Sequence, residues 1–177
     1  MKVTKALNAL SEATEDFWVD FNMPVLETSD SLAFFKYAYS RYHPCILKSG
    51  LINDWKALGK WNREYLCETI GNDKKVSVNL TKEGRADSVQ YVESKDAEYF
   101  LYPAEAKMTM SEFFSCLEDP EAKVVAYLSQ QNDNLRTEFP ELMSDININI
   151  PLACDVFESG EPEAVNLWIG GVFPVVN

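Results

Sequence analysis

The sequence predicts an α+β chain, and three observations lead there. Segments with apolar residues at helical spacing are mixed with segments of period two, without the regular strand–helix–strand rhythm of a doubly wound sheet. Hydrophobic residues fill 46% of the 177 positions and charged residues 25%, which supports a packed core rather than disorder. No internal repeat, low-complexity tract or composition break divides the chain into independent halves.

The elements follow in order. Over 3–19, Ala6, Leu7, Leu10, Ala13, Phe17 and Trp18 recur in steps of three and four and define one helix face. Pro24 ends that run, and 23–26 reads as extended. Ser29 or Asp30 can cap a second helix filled by Leu32, Phe34, Phe35, Tyr37, Ala38 and Tyr39, whose aromatic density predicts burial on more than one side. His43-Pro44 leads into a short strand over 45–47. Asn62 predicts a cap for a helix over 63–70, with Gly71 at its C-terminal end.

Residues 75–81 alternate polar and apolar, the signature of a half-buried strand. The turn at 82–85 predicts that 87–92 returns as its hairpin partner, and 99–103 is a further extended piece. Thr109 and Glu112 form a capping box before Phe113, Phe114 and Leu117, and Pro120 stops that helix. The β-branched run at 123–130 predicts a strand, 138–143 and 152–157 short helical pieces, and 164–170 the last strand.

Charge narrows the partners. Sixteen Lys and Arg against 28 Asp and Glu leave a net charge of −12, a field that opposes nucleic acid and anionic membrane and leaves basic proteins or peptides. No apolar run approaches the roughly 18 residues that span a bilayer. The first ten residues, broken by Lys2, Lys5 and Asn8, lack the apolar stretch of a signal peptide. Cys45, Cys67, Cys116 and Cys154 form no CxxC pair and read as reduced, mostly buried thiols, placing the chain in the cytoplasm or nucleus.

The single histidine, His43, excludes from this chain alone any site that needs two, including the two-histidine, one-carboxylate iron site. His43 and Cys45 share a strand face, so they read either as a nucleophile–base pair of a hydrolase or as a structural pre-proline histidine beside a small thiol. The acidic pairs Glu15-Asp16 and Glu118-Asp119 read as solvated helix ends. Two polar-aromatic stretches remain. Residues 127–133 close a strand with a cluster of amides. Residues 166–171 put Asn166 and Trp168 on one face and Leu167 and Ile169 on the other. Each could project hydrogen-bonding groups from a sheet into a cavity, or be a satisfied strand end and a core tryptophan.

Several stretches together resemble the jumonji-C (cupin-like) oxygenases, most closely those of the lysyl hydroxylase type. These are His43 to Leu47 with Trp55, Leu58 and Trp61; Val76 to Val78 with Gly84, Ala86 and Asp87; Tyr127 to Asn132 with Leu135 and the Glu138 to Leu142 segment; and Pro162 to Gly170. They run in the family's order over roughly 30–170. The resemblance implies a double-stranded β-helix preceded by a helical and mixed N-terminal region. It further implies Fe(II) held by an HxD motif and a distant second histidine, with 2-oxoglutarate and O₂ used to hydroxylate a protein side chain. Tyr127 stands where related enzymes place a tyrosine that hydrogen-bonds the 2-oxoglutarate carboxylate; the alternative is a core tyrosine with its hydroxyl satisfied.

The sequence departs from that pattern after Gly170. It contains no HxD, and 172–177 do not look like the family. The expectation is therefore an N-terminal helical region (1–42), the first part of a JmjC domain with an incomplete β-helix (43–170) and a divergent tail (171–177). Such a chain has no metal site, needs no cofactor and is inactive alone, although the full-length family uses Fe(II) and 2-oxoglutarate on protein substrates. A non-enzymatic interaction module or regulatory isoform is the alternative, and self-association through the exposed edge of the last strand is expected.

Overall fold

In a computed structural model, residues 2–15, 22–27, 30–48, 50–82, 84–85, 87–119, 121–157 and 160–171 are described. In chain order the elements are α1 (Lys2–Glu15), β1 (Val25–Leu26), α2 (Ser31–Phe34, continued by a π-helical turn Phe35–Tyr39), β2 (Ile46–Leu47), α3 (Ala57–Lys60), α4 (Arg63–Ile70), β3 (Lys75–Thr81), β4 (Ser88–Val92), β5 (Ala97–Leu101), β6 (Ala104–Thr109), α5 (Met110–Glu118), β7 (Val125–Leu128), α6 (Asn134–Thr137, followed by a 3₁₀ turn Pro140–Asp145), α7 (Pro151–Val156) and β8 (Ile169–Gly170). The chain divides into two compact units, Met1–Asn53 with Asn149–Glu161, and Asp54–Ile148 with Pro162–Asn177.

In the first unit, β1 and β2 pair in parallel, Val25 with Ile46 and Leu26 with Leu47. Asp30 caps α2 by accepting from the Ala33 N–H at 2.8 Å; Ser29, the other candidate cap, lies outside the described residues. The aromatic helix is not buried on several sides as its composition predicts: Leu32, Phe35 and Tyr39 are exposed. A ring contact runs edge-on from Tyr39 to Phe157, just past α7. The first helix extends to Glu15, and the rest of its predicted span lies outside the described residues.

The second unit is built on an open four-stranded antiparallel sheet, in the order β6-β3-β7-β8. Alternation sends Val76, Val78 and Leu80 of β3 to one face, opposite Met108, Ala106 and Ala104 of β6. That face, with Ala126 and Leu128 of β7, packs under Met110 and Phe113 of α5, Leu66 and Ile70 of α4, and Leu135, Phe139, Leu142 and Leu167. The local signals that start these helices are those read from the sequence. Asn62 accepts from the Tyr65 N–H at 2.9 Å. Thr109 and Glu112 exchange the two bonds of a capping box. Gly71 closes α4 at φ 101°, where a side chain would be strained.

Two strand expectations are corrected, and one strand was not anticipated. β4 does not return onto β3; it pairs with β5, Val89 opposite Phe100 and Tyr91 opposite Glu98. The reason is that both edges of β3 are taken, one by β6 along 75–80 and the other by β7 along 79–81. β6 itself reads as helix-forming in sequence, Ala104-Glu105-Ala106-Lys107, and is drawn into the sheet by six residue pairs with β3. The last strand shrinks from 164–170 to Ile169–Gly170, because 165–167 are held by side chains rather than by a ladder. Among the described residues the sheet does not close into a barrel, and no helix is long and apolar enough to cross a membrane.

Candidate functional site

The sheet face opposite the core is polar. Its β3 positions are Ser77, Asn79 and Thr81, and register sets Glu105, Asn79, Tyr127 and Gly170 in one row across all four strands. Ser77 lies between opposite charges: it donates to Glu105 Oε1 at 2.8 Å and accepts from Lys107 Nζ. Asn79 Nδ2 donates to Ser129 Oγ at 2.7 Å, which fixes its amide across the end of β7. The Trp168 indole N–H donates to the Gln130 carbonyl at 3.0 Å and ties the ring to the strand end.

A cavity of about 510 Å³ opens on this face, lined by Asn79, Thr81, Val125, Tyr127, Trp168 and Gly170, with Gly84 and Gly171 at its rim. The Thr81 hydroxyl is buried and, among the described residues, without a hydrogen-bond partner. Gly170 is required by close approach rather than by backbone angle. A Cβ there would lie 2.7 Å from Tyr127 Cδ2, so the Tyr127 ring lies directly over the bare Cα. A second opening of about 600 Å³ shares Asn79, Tyr127 and Trp168 and continues over Ser129, Gln130, Gln131 and Asn132 to Asp87, Tyr102 and Glu105.

The two stretches singled out in the sequence thus meet on one face, 127–132 and Trp168 together. Asn166 does not join them. Its Oδ1 accepts from the backbone N–H groups of Asp133 and Asn134 at 3.0 and 3.3 Å, a structural role. Sequence reasoning missed Asn79 and Thr81 as site residues; their shared parity with Ser77 in β3 was the available signal.

His43 and Cys45 line neither cavity. The His43 ring sits edge-on to Tyr37, centroids 5.5 Å apart. Cys45, Cys67 and Cys116 are half-buried, whereas Cys154 is exposed, so the thiols are less buried than their spacing predicts. Burial pushes the Cys67 thiol pKa up, opposed by Arg63 nearby. Among the described residues, no three His, Cys, Asp or Glu side chains gather to hold a metal ion.

The sheet is backed by helices on one face and carries on the other a cavity of mixed polar and aromatic lining. The chain matches the Cupin-like domain over residues 31–172 and belongs to that family. It is 31% identical over 170 residues to the human protein named bifunctional peptidase and (3S)-lysyl hydroxylase JMJD7, which covers 95% of this chain and 51% of that protein. It is 29% identical over 169 residues to JmjC domain-containing protein E of Dictyostelium discoideum, covering 91% and 47%. It is 36% identical over 143 residues to the Arabidopsis thaliana lysine-specific demethylase JMJ32, covering 77% and 39%. The resemblance to JmjC proteins read from the motifs agrees with these relatives, of whose length the chain spans about half or less.

Proposed function

We propose that this chain is the N-terminal portion of a JmjC-type Fe(II)/2-oxoglutarate-dependent protein hydroxylase of the lysyl type, and that it supplies one wall of the 2-oxoglutarate pocket but none of the iron ligands. In this reading residues 43–170 are the JmjC portion, 1–42 the helical region before it and 171–177 a divergent tail. The observation that carries it is one cavity of a cupin-like sheet lined together by Asn79, Thr81, Tyr127 and Trp168.

These residues fit one end of 2-oxoglutarate. The Tyr127 phenol and the Asn79 amide are groups that suit a carboxylate, and Val125 and the Trp168 ring offer apolar surface to a short carbon chain. No lysine or arginine is among the described lining residues, so the carboxylate would be held by uncharged donors alone, which are roughly half as strong as charged ones. Bound 2-oxoglutarate would supply the two-electron reduction of O₂ in such enzymes. The residues do not fit the iron. A facial site needs two histidines, this chain has one, and no carboxylate–histidine cluster is formed among the described residues. On this reading the chain alone, with one histidine, is inactive.

The reading is tested by nuclear magnetic resonance with added 2-oxoglutarate at millimolar concentration. The Trp168 indole and the resonances of Thr81 and Tyr127 are expected to shift. Tyr127→Phe and Thr81→Val should each weaken the effect about three- to ten-fold, one hydrogen bond's worth. Gly170→Ala should abolish it by driving the Tyr127 ring from its place. Shifts that leave these residues untouched, or that none of the three substitutions alters, would contradict the assignment. A second reading, a protein-interaction module, is favoured by one observation, the uncovered hairpin described next.

A further inference from the structure

The β4–β5 hairpin pairs only with itself, outside the four-stranded sheet. Two strands alone are marginally stable in water, and they normally gain stability by covering an apolar face. Here one face is uncovered. Val89 and Tyr91 of β4 share it with Phe100 of β5 and with Tyr102 just beyond, and they are 60%, 57%, 54% and 78% exposed. The rings are ordered against one another: Phe100 and Tyr102 meet edge to face at 5.3 Å, and the Tyr91 hydroxyl donates to Asp96. Single exposed apolar residues are ordinary, but four contiguous large ones on one sheet face mark a surface that binds.

The charge around that face selects the partner. The hairpin, 88–101, carries Glu93, Asp96 and Glu98 against Lys95, with Asp87 just before it and Glu105 beyond, and Arg85 and Lys107 flank the stretch. Glu98 stands directly opposite Tyr91 in the ladder. Asp87, Tyr102 and Glu105 also line the 600 Å³ opening that leads to Tyr127, so hairpin and groove form a continuous surface. Glu105 is partly occupied by Ser77 and, at 3.8 Å, by Lys107; the negative character is therefore carried mainly by the hairpin. A second copy of this chain would bring the same carboxylates and a net charge of −12 onto the face, which opposes pairing of like with like.

We propose that the exposed face of the β4–β5 hairpin is a docking platform for a basic segment of another protein, with aromatic rings receiving its aliphatic stems and carboxylates its lysine or arginine heads. Aromatic faces suit this partner twice, since they attract cations and accept the methylene chains behind them. The surface adds to the proposed function the route by which a protein partner reaches the cavity. It rests on that reading only in calling the partner a substrate.

Fluorescence anisotropy with a labelled peptide of alternating lysine and valine, and a glutamate–valine peptide as its opposite, tests the platform without 2-oxoglutarate or metal. The lysine peptide is expected to bind and the glutamate peptide not. Phe100→Ser, Tyr102→Ser and Glu98→Lys should each weaken binding about five-fold, whereas the charge-matched Glu68→Lys, exposed on α4, should weaken it less than two-fold by the general field alone. Tyr102 lies beyond β5, so Tyr102→Ser reports on the surface even where Phe100→Ser unfolds the hairpin. Equal loss on Glu68→Lys and Glu98→Lys, or no loss with Tyr102→Ser, would overturn the proposal. So would sedimentation showing a dimer that the same substitutions dissociate. A failure here leaves the Tyr127 titration unchanged, and a failure there leaves this binding unchanged.

Discussion

Asn134→Ala is expected to lower the free energy of unfolding by about 3 kcal/mol, two buried backbone groups at roughly 1–3 kcal/mol each being left unpaired. Asn134 is fully buried, and its carboxamide pairs with both backbone groups of one residue, Leu167. Nδ2 donates to the Leu167 carbonyl at 3.0 Å, and Oδ1 accepts from the Leu167 N–H at 2.7 Å. Beside it the Val165 N–H donates to Asp133 Oδ1 at 2.7 Å, and the Leu135 N–H donates to the Val165 carbonyl. A side chain thus replaces the neighbouring strand that 165–167 lack, and it holds the segment from which Trp168 and Gly170 reach the cavity. Urea unfolding followed by circular dichroism measures the effect. The midpoint should fall with little change in slope. A loss below about 1 kcal/mol would show that the Leu167 pairing contributes little to the fold.

Asp145→Ala should cost about 2–3 kcal/mol at neutral pH, because it strips the acceptor from two ring donors. The Asp145 carboxylate is buried and receives the Tyr65 hydroxyl at 2.6 Å, the Trp61 indole N–H at 3.2 Å and Lys60 Nζ at 3.4 Å. The Tyr65 hydrogen bond does most to hold its pKa below the ordinary carboxylate value, assisted by Trp61 and Lys60 and opposed by burial. The sign follows from the lowered folded value. The contribution is complete above the unfolded pKa, near 4, and is lost as pH falls through the folded one. Wild-type stability should therefore decline below about pH 4 more steeply than that of Asp145→Asn. Parallel acid limbs for the two proteins would contradict the account. Lys60 is half exposed, so Lys60→Ala should cost little by comparison, about 0.5 kcal/mol.

What the sequence made legible was local. The Thr109–Glu112 box, the Asn62 cap and the Gly71 stop depend on neighbours three or four positions away, and each formed as read. The alternation at 75–81 and the β-branched run at 123–130 marked the two central strands, and of the pair set on one face of the last strand Trp168 lines the cavity and Asn166 does not. The pairing of strands was less legible, because it depends on competition for edges: β6, written in helix-forming residues, won the edge of β3 that β4 was expected to take. Asn134 and Asp145 carry no local signal at all, since their partners lie 33 and 80 or more positions away. Thr81 looked like the end of an amphipathic strand, and only the packed sheet shows its hydroxyl without a partner among the described residues.

On the proposed reading this chain carries the cosubstrate wall of a JmjC hydroxylase without its iron centre. Calorimetric titration of the chain with Mn(II) in the presence of 2-oxoglutarate, with succinate assayed after Fe(II) is substituted and O₂ admitted, tests it most directly. The account predicts no saturable stoichiometric metal site and no succinate above the protein-free blank. One equivalent of tightly bound metal, with succinate formed in proportion to protein, would contradict it.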